Sequence, residues 1–287
     1  MHSICVISAL DQKNRIDLAN AAKSFESNSV TMQSRWSPLL ATLRKQHNIT
    51  VTTVPREDFS EELLESLYSI AKIVVDEPEP HFRRHVFTNQ LCHVFHAENT
   101  SQILGFQCWR RSPGSRVVWG GKLRLLPEVH GRGLHLLSNL LATEDLCSAE
   151  IDRAPMDNGV DVSAPLYRVG LLNIIAFNSL CSGLSHYERY PFNSNPDMAA
   201  CVCPELQEFT SESGYNFDTK SGVVDVGQGF PKSVIKGLGE GFWRRPAVKS
   251  FLRLCPRWQD RDVFVAWRWD EDNLRAIERE VLRKMNT

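Results

Sequence analysis

Apolar positions change period several times along this chain, and each change marks an element. Trp36 to Asn48 reads as a short helix, and Ile49 to Val54 alternates β-branched residues like a strand that stops at Pro55. After Ser60, placed as an N-cap, apolar residues fall at Leu63, Leu64, Leu67, Tyr68 and Ala71 behind Glu61 and Glu62. Acids in the first turn and apolar residues on one helical face predict an amphipathic helix running to about Val75. Glu77 to Pro80 breaks it, and a helix or turn around His81 to Asn89 follows. Leu91 to Ala97 and Ile103 to Arg110 then read as a hairpin around a turn at Glu98 to Ser101. Arg116 to Leu126 is a longer strand, and its Gly120-Gly121 pair predicts a bulge or a close backbone approach. Gly131 to Gly133 opens a helix that buries Leu134, Leu136, Leu137, Leu140 and Leu141.

Further on the pattern is less regular. Asp157 to Ala164 reads as a loop, while Pro165 to Leu172 fits either a strand or the start of the apolar Leu171 to Leu184 segment. The last third, from about Asn193, reads as turns rich in Gly, Ser and Pro. It then gives a helix at Arg245 to Leu254, a strand at Val263 to Trp269 and a charged helix at Asp272 to Met285. Residues 11 to 35 are polar and aperiodic, which suggests an arm or an irregular cap. The resulting organisation is an arm with a short helix (1–47), a central domain (48–192) and a C-terminal α+β extension (193–287).

Composition narrows the function classes. With 42% hydrophobic and 23% charged residues, 287 residues bury a full core. A net charge of −1 gives no global attraction for nucleic acid or an anionic membrane. No segment approaches the roughly 20 apolar residues of a membrane span, since Leu166 to Leu184 is interrupted by Arg168, Asn173, Asn178 and Ser182. The start has no basic flank before its apolar run, so a cytoplasmic protein is expected. Eight cysteines are scattered without a framework and are expected reduced. Cys201 and Cys203 lack a second pair, and His93 and His96 point to opposite faces of a strand, so no metal site is expected. Trp243, Trp258, Trp267 and Trp269 stand among arginines, but without a basic surplus they read as core rather than as a stacking platform.

The run Val129-His130-Gly131-Arg132-Gly133-Leu134 joins a strand to a helix whose first amides have no intrahelical partner. Such a nest binds a pyrophosphate, with the glycines allowing close approach and Arg132 and His130 adding charge. A dinucleotide fingerprint needs a third glycine where His135 to Leu137 stand, and a P-loop needs Lys with Ser or Thr where the helix has leucines. A glycine turn with no ligand is the plain alternative. The wider run from Lys122 to Leu134, together with Ile103-Leu-Gly-Phe106, resembles the central motif of the GNAT (general N-acetyltransferase) superfamily. That resemblance implies a mixed, mostly antiparallel sheet flanked by helices, with the strand before the loop splayed from its neighbour. It implies acetyl-CoA or another acyl-CoA as cofactor, Leu125 and Leu126 along the pantetheine and Val129 to Leu134 around the pyrophosphate. Two positions depart from the family: Glu128 stands where Gln or Arg is usual, and Leu180 occupies the place of the tyrosine that protonates the thiolate.

The resemblance implies N-acyl transfer to a small-molecule or peptide amine by direct attack. Its rivals are a non-catalytic acyl-CoA-binding or sensing module on the same fold and an interaction domain with no cofactor. The base candidates are His93 and His96, because histidine titrates near neutrality. Tyr187 is the displaced candidate acid, against a packing role. Lys122 and Arg124 are expected to orient a carboxylate-bearing acceptor or to lie on a solvated face. The acceptor and the oligomeric state are not legible.

Overall fold

The computed structural model describes residues 34–75, 77–100, 102–112, 114–151, 166–226 and 238–287. The polar arm expected over 11–35 and the loop expected over 157–164 lie almost wholly outside them. The chain begins with α1 (Ser37–His47) and β1 (Ile49–Pro55), followed by α2 (Glu61–Val74) and α3 (Glu79–Phe87). Ser60 caps α2 as expected, its Oγ accepting from the Leu63 amide at 3.2 Å, an arrangement worth ~1 kcal/mol. Then come β2 (Leu91–Ala97), β3 (Ile103–Arg111), β4 (Val117–Leu125) and α4 (Leu134–Ile151). The ambiguous segment resolves into β5 (Tyr167–Leu172) and α5 (Ile174–Cys181). Asn173 divides them, because its Oδ1 accepts from the amides of Ile175 and Ala176 at 3.1 and 2.9 Å.

The C-terminal third holds β6 (Glu188–Arg189), α6 (Pro196–Ser213), β7 (Asn216–Phe217), β8 (Val223–Asp225), α7 (Gly239–Trp243), α8 (Pro246–Leu254), β9 (Arg261–Arg268) and α9 (Glu271–Met285). Helix α6 spans 18 residues where the sequence reads as turns. Pro204 lies inside it, at a helix-interior cost of ~3 kcal/mol. The helix persists because Asn195 caps it and Met198, Val202 and Leu206 bury against Val117, Trp119 and Phe264.

The nine strands form a single sheet, β1-β2-β3-β4-β5-β9-β8-β7, with β6 also on β9. All pairings are antiparallel except β4 with β5. Because β9 pairs with β5 over six residues, the sheet runs without a break from the central segment into the 193–287 extension. Helices cover both faces. α2 and α3 pack on one face around Phe82, Val94 and Phe106, and α6 continues that layer. α1, α4, α5, α8 and α9 pack on the other, around Phe95, Leu137, Phe177, Trp267 and Val281. Trp258 and Trp267 sit in this core, as expected from the composition.

Candidate functional site

Parallel pairing of β4 with β5 covers only Val117–Gly120 against Tyr167–Gly170. Past that point β5 stays paired with β9 to Leu172 and ends at the Asn173 cap, while β4 continues, still paired with β3, to Leu125. The edge of β4 from Gly121 to Leu125 that would meet β5 therefore has no strand partner among the described residues, which is the splay implied by the resemblance. The glycine pair produces the expected bulge: Trp109 faces Gly120 and Gln107 faces Leu123, so Cys108 stands opposite two residues of β4.

A cleft of about 140 Å³ occupies this fork and crosses the sheet, lined on one face by Lys122, Arg124, His85, Tyr215 and Asp262 and on the other by His135 and Arg168. Half of the buried side-chain polar atoms that lack a partner among the described residues belong to this lining: Gln107 Oε1, Arg124 Nε, His135 Nδ1 and Arg168 Nη1. Buried polar atoms without partners cost free energy, so their concentration makes this cleft the candidate site for a polar ligand.

On the α3 face the cations are already engaged. Glu77, fully buried, pairs with Lys122, with Arg124 Nη2 at 3.0 Å and with His81 Nδ1 at 2.7 Å. Burial pushes its carboxyl up, but Arg124, Lys122 and the hydrogen bonds outweigh burial and hold it down at about 2. Lys122 falls to about 8 through burial and the adjacent Arg124, against which its pairing with Glu77 is insufficient. His85, stacked on Tyr215 at 5.9 Å, is driven down to about 4 by burial and by Lys122 and is neutral at pH 7. Burial raises Tyr215 to about 12. Asp262, the second residue of β9, is pushed up to about 7 by desolvation, which Arg124 only partly offsets. A carboxyl poised near neutrality in a cleft is suited to proton transfer.

On the α4 face, Arg168 is 1% exposed. Its guanidinium lies between the rings of Trp109 and Trp267, 4.5 and 4.9 Å from their centroids, and its Nε donates to Asn139 Oδ1 at 3.2 Å. Burial lowers its pKa well below the usual arginine range. His135, beside it, drops to about 3 through burial and the nearby Arg168.

Below the fork the glycine turn has the geometry a phosphate nest requires. Gly131 and Gly133 take φ of +85° and +77°, and a Cβ on Gly131 would meet nothing within 4 Å. The amides of Val129 and His130 are tied to Leu126 and Pro127 carbonyls, and the first α4 bond runs from Leu137 N to Gly133 O. The amides of Leu134, His135 and Leu136 thus have no intrahelical acceptor. Among the described residues no backbone carbonyl outside the regular elements accepts from Gly131, Arg132 or Gly133. Leu126, Val129 and Leu134 point their side chains into the core, so they offer a ligand backbone only. His130 Nε2 donates to Leu125 O at 2.9 Å, so one lone pair of the carbonyl assigned to the pantetheine is taken by this imidazole. Glu128 is exposed and turned to solvent.

The base and acid candidates read from the sequence are not brought together. His93 is fully buried on β2 and outside the cleft lining. Ser138 Oγ accepts from Trp109 Nε1 at 2.9 Å and so donates to His93 Nδ1 at 2.7 Å, which places the ring proton on Nε2, 2.8 Å from Asp145. No lone pair is left for a substrate. His96, at the far end of β2 opposite Thr50, is also outside the lining. Tyr187 packs edge-on against Phe177 at 6.0 Å, away from the fork, and burial raises its hydroxyl to about 12. Lys122 and Arg124 do line the cleft, and both are paired with the single carboxylate of Glu77. Sequence reasoning singled out neither Arg168, whose signal was a charge interrupting an apolar run, nor Asp262, which sits beside Arg261 at the charged start of β9 and just before the strand expected from sequence. No group of His, Cys, Asp and Glu suited to a metal occurs among the described residues. Nor is any helix there long and apolar enough to cross a membrane.

A mostly antiparallel sheet flanked by helices, forked at its one parallel pair beside a glycine turn and a leucine-rich helix, is a GNAT-like fold. The chain is similar to two solved structures over 76% of its own length: the loading GNATL domain of CurA from Lyngbya majuscula (14% identity, 96% of that chain, TM-score 0.33) and the ribosomal-protein-S18-alanine N-acetyltransferase from Escherichia coli (13% identity, 94% of that chain, TM-score 0.31). These values carry nothing about substrate or mechanism. No family model and no curated protein matches the chain.

Proposed function

We propose that this chain is an acyl-CoA-dependent N-acyltransferase, using acetyl-CoA or another acyl-CoA and an amine acceptor. The observation that carries the reading is the fork of β4 and β5, a polar cleft that continues along an unpaired strand edge toward a turn of unengaged amides. The groups present fit the cofactor. Amides from Gly131 to Leu136 hold a pyrophosphate at the positive end of α4, and the open space at Gly131 admits it. The β4 edge from Gly121 to Leu125 offers amide and carbonyl groups to a pantetheine arm. Acyl-CoA supplies an activated thioester at the fork.

Asp262, near pH 7 half ionised, takes a proton from the ammonium form of the acceptor, leaving an amine able to attack the thioester carbonyl. The C–N bond forms and the C–S bond breaks; of the two protons the nitrogen sheds in passing from ammonium to amide, Asp262 takes one before attack and the departing thiolate takes the other, and Asp262 then releases its proton to solvent. His93, His96 and Tyr187 have no part in this scheme. The test is a thermal-shift titration with CoA, because a ligand that binds only the native state raises Tm by mass action. CoA is expected to raise Tm, and Gly131→Asp to remove the response by placing a carboxylate in the nest while circular dichroism shows the fold intact. A retained response in folded Gly131→Asp refutes the site. Tight CoA binding with no thiol release from acetyl-CoA across a panel of amino acids, polyamines and peptides replaces transfer by sensing.

A further inference from the structure

Two of the cations that line the fork, Lys122 and Arg124, share Glu77. Arg168 differs. It is 1% exposed, and among the described residues no carboxylate pairs with it and its Nη1 has no hydrogen-bond partner. Two indole faces and the Asn139 amide oxygen hold the guanidinium in place without neutralising it. A buried charge left this way is costly, and a structural role would be served as well by an apolar residue of similar size.

The position of the guanidinium is also set with care. A Cβ on Gly120 would lie 1.6 Å from Arg168 Nη2, so the arginine fits only because β4 has no side chain where it parts from β5. The charge thus stands at the root of the fork, on the wall of the cleft and with a nitrogen unsatisfied. A planar guanidinium with free donors matches a carboxylate.

We propose that Arg168 recognises a carboxylate on the ligand of this cleft, so that either the acyl group or the amine acceptor is a carboxylate-bearing molecule. This rests on the acyl-transfer reading for its account of which two ligands meet at the fork. It moves the carboxylate-orienting role from Lys122 and Arg124, both already paired with Glu77, to a residue of β5.

The test is calorimetric titration of the full chain and of Arg168→Met, which keeps the bulk and removes the charge. One arm compares succinyl-CoA with butyryl-CoA, which differ by a carboxylate in place of a methyl group. The other compares amino acids with their decarboxylated amines, in the presence of CoA and in its absence. The carboxylate form is expected to bind about tenfold or more tightly to the wild-type protein in one arm. That arm identifies the source. Arg168→Met is expected to remove the preference, leave affinity for CoA itself unchanged, and raise the Tm of the ligand-free protein. No preference in either arm, a preference that survives Arg168→Met, or loss of CoA binding in that variant each overturns the inference, the last because Arg168 then serves the cofactor phosphates. Should Arg168→Met fail to fold, Arg168→Lys decides: an undiminished carboxylate preference refutes a role for the guanidinium fork. Failure of the wild-type protein to bind CoA counts against the acyl-transfer reading alone, and the amino-acid arm without CoA then decides the role of Arg168.

Discussion

Asp262→Asn separates a desolvated carboxyl from an ordinary surface acid. The folded state raises this group from 3.8 to about 7, about 3 units, chiefly by desolvation. At 1.36 kcal/mol per unit this amounts to ~4 kcal/mol, an upper bound because water enters the cleft. The sign follows from proton uptake. Between pH 3.8 and about 7 the folded carboxyl keeps its proton while the unfolded one has lost it, so stability falls as pH rises through that window and the loss persists above it. Asparagine does not titrate. The variant is therefore expected to match wild type near pH 4 and to exceed it by as much as ~4 kcal/mol at pH 8, measured by urea unfolding, with all other groups cancelling in the difference. In a thiol-release assay the wild-type rate is expected to rise with a midpoint near 7. The variant is expected to lose that limb and about 100-fold in kcat. A stability difference that stays flat from pH 4 to pH 8 refutes the reasoning, whatever happens to activity.

Glu77→Gln strands Lys122 and Arg124 as buried cations, and the fall of Glu77 from 4.5 to about 2 sets the expected loss at ~3 kcal/mol at pH 7. Wild type has this contribution in full above pH 4.5 and loses it as pH falls toward 2, so the gap measured by urea unfolding must narrow in acid. His93→Ala breaks the bonds to Ser138 and Asp145 and leaves a buried space, which is expected to cost about 3 kcal/mol of stability. Its kcat is expected to stay at the wild-type value at a temperature where the variant is folded, and a hundredfold loss there would return His93 to the chemistry.

The elements legible in the sequence were those whose determinants are local. Ser60 with two following acids, the alternation in β1, and the glycine pair that becomes the β4 bulge need no knowledge of the rest of the chain. Helix α6 was hidden because Pro204 is a local breaker, and the residues that overrule it, Val117, Trp119 and Phe264, come from distant strands. Tyr167 to Leu184 could not be parsed by period, since both β5 and α5 bury most of their residues. Only the double hydrogen bond to Asn173 marks where one ends. The turn at Gly131 was readable because a nest is made by consecutive residues. The surroundings of a candidate base were not, because they depend on which distant side chains a residue meets: His93 is an attractive titratable group until Ser138 and Asp145 occupy both of its nitrogens.

Charge in the fork follows the same logic at longer range. By sequence Lys122 and Arg124 are conspicuous, adjacent to the glycine motif and alternating on one strand, whereas Arg168 is only an interruption in an apolar run. Folding reverses their standing. β4 carries the first two onto the α2–α3 face, where both pair with Glu77 between the helices. β5 carries Arg168 onto the opposite face between two tryptophans, with no carboxylate paired to it among the described residues, and the β4–β5 pairing ends two residues further on. Asp262 arrives from β9, 94 residues further along the chain than Arg168, on the face that Arg168 does not share. The cleft therefore holds an unmatched cation on one wall and a carboxyl titrating near neutrality on the other. A ligand that presents a carboxylate to the first and a protonated amine to the second satisfies both walls at once, and both walls draw on β9, which supplies Asp262 to one and Trp267 to the other.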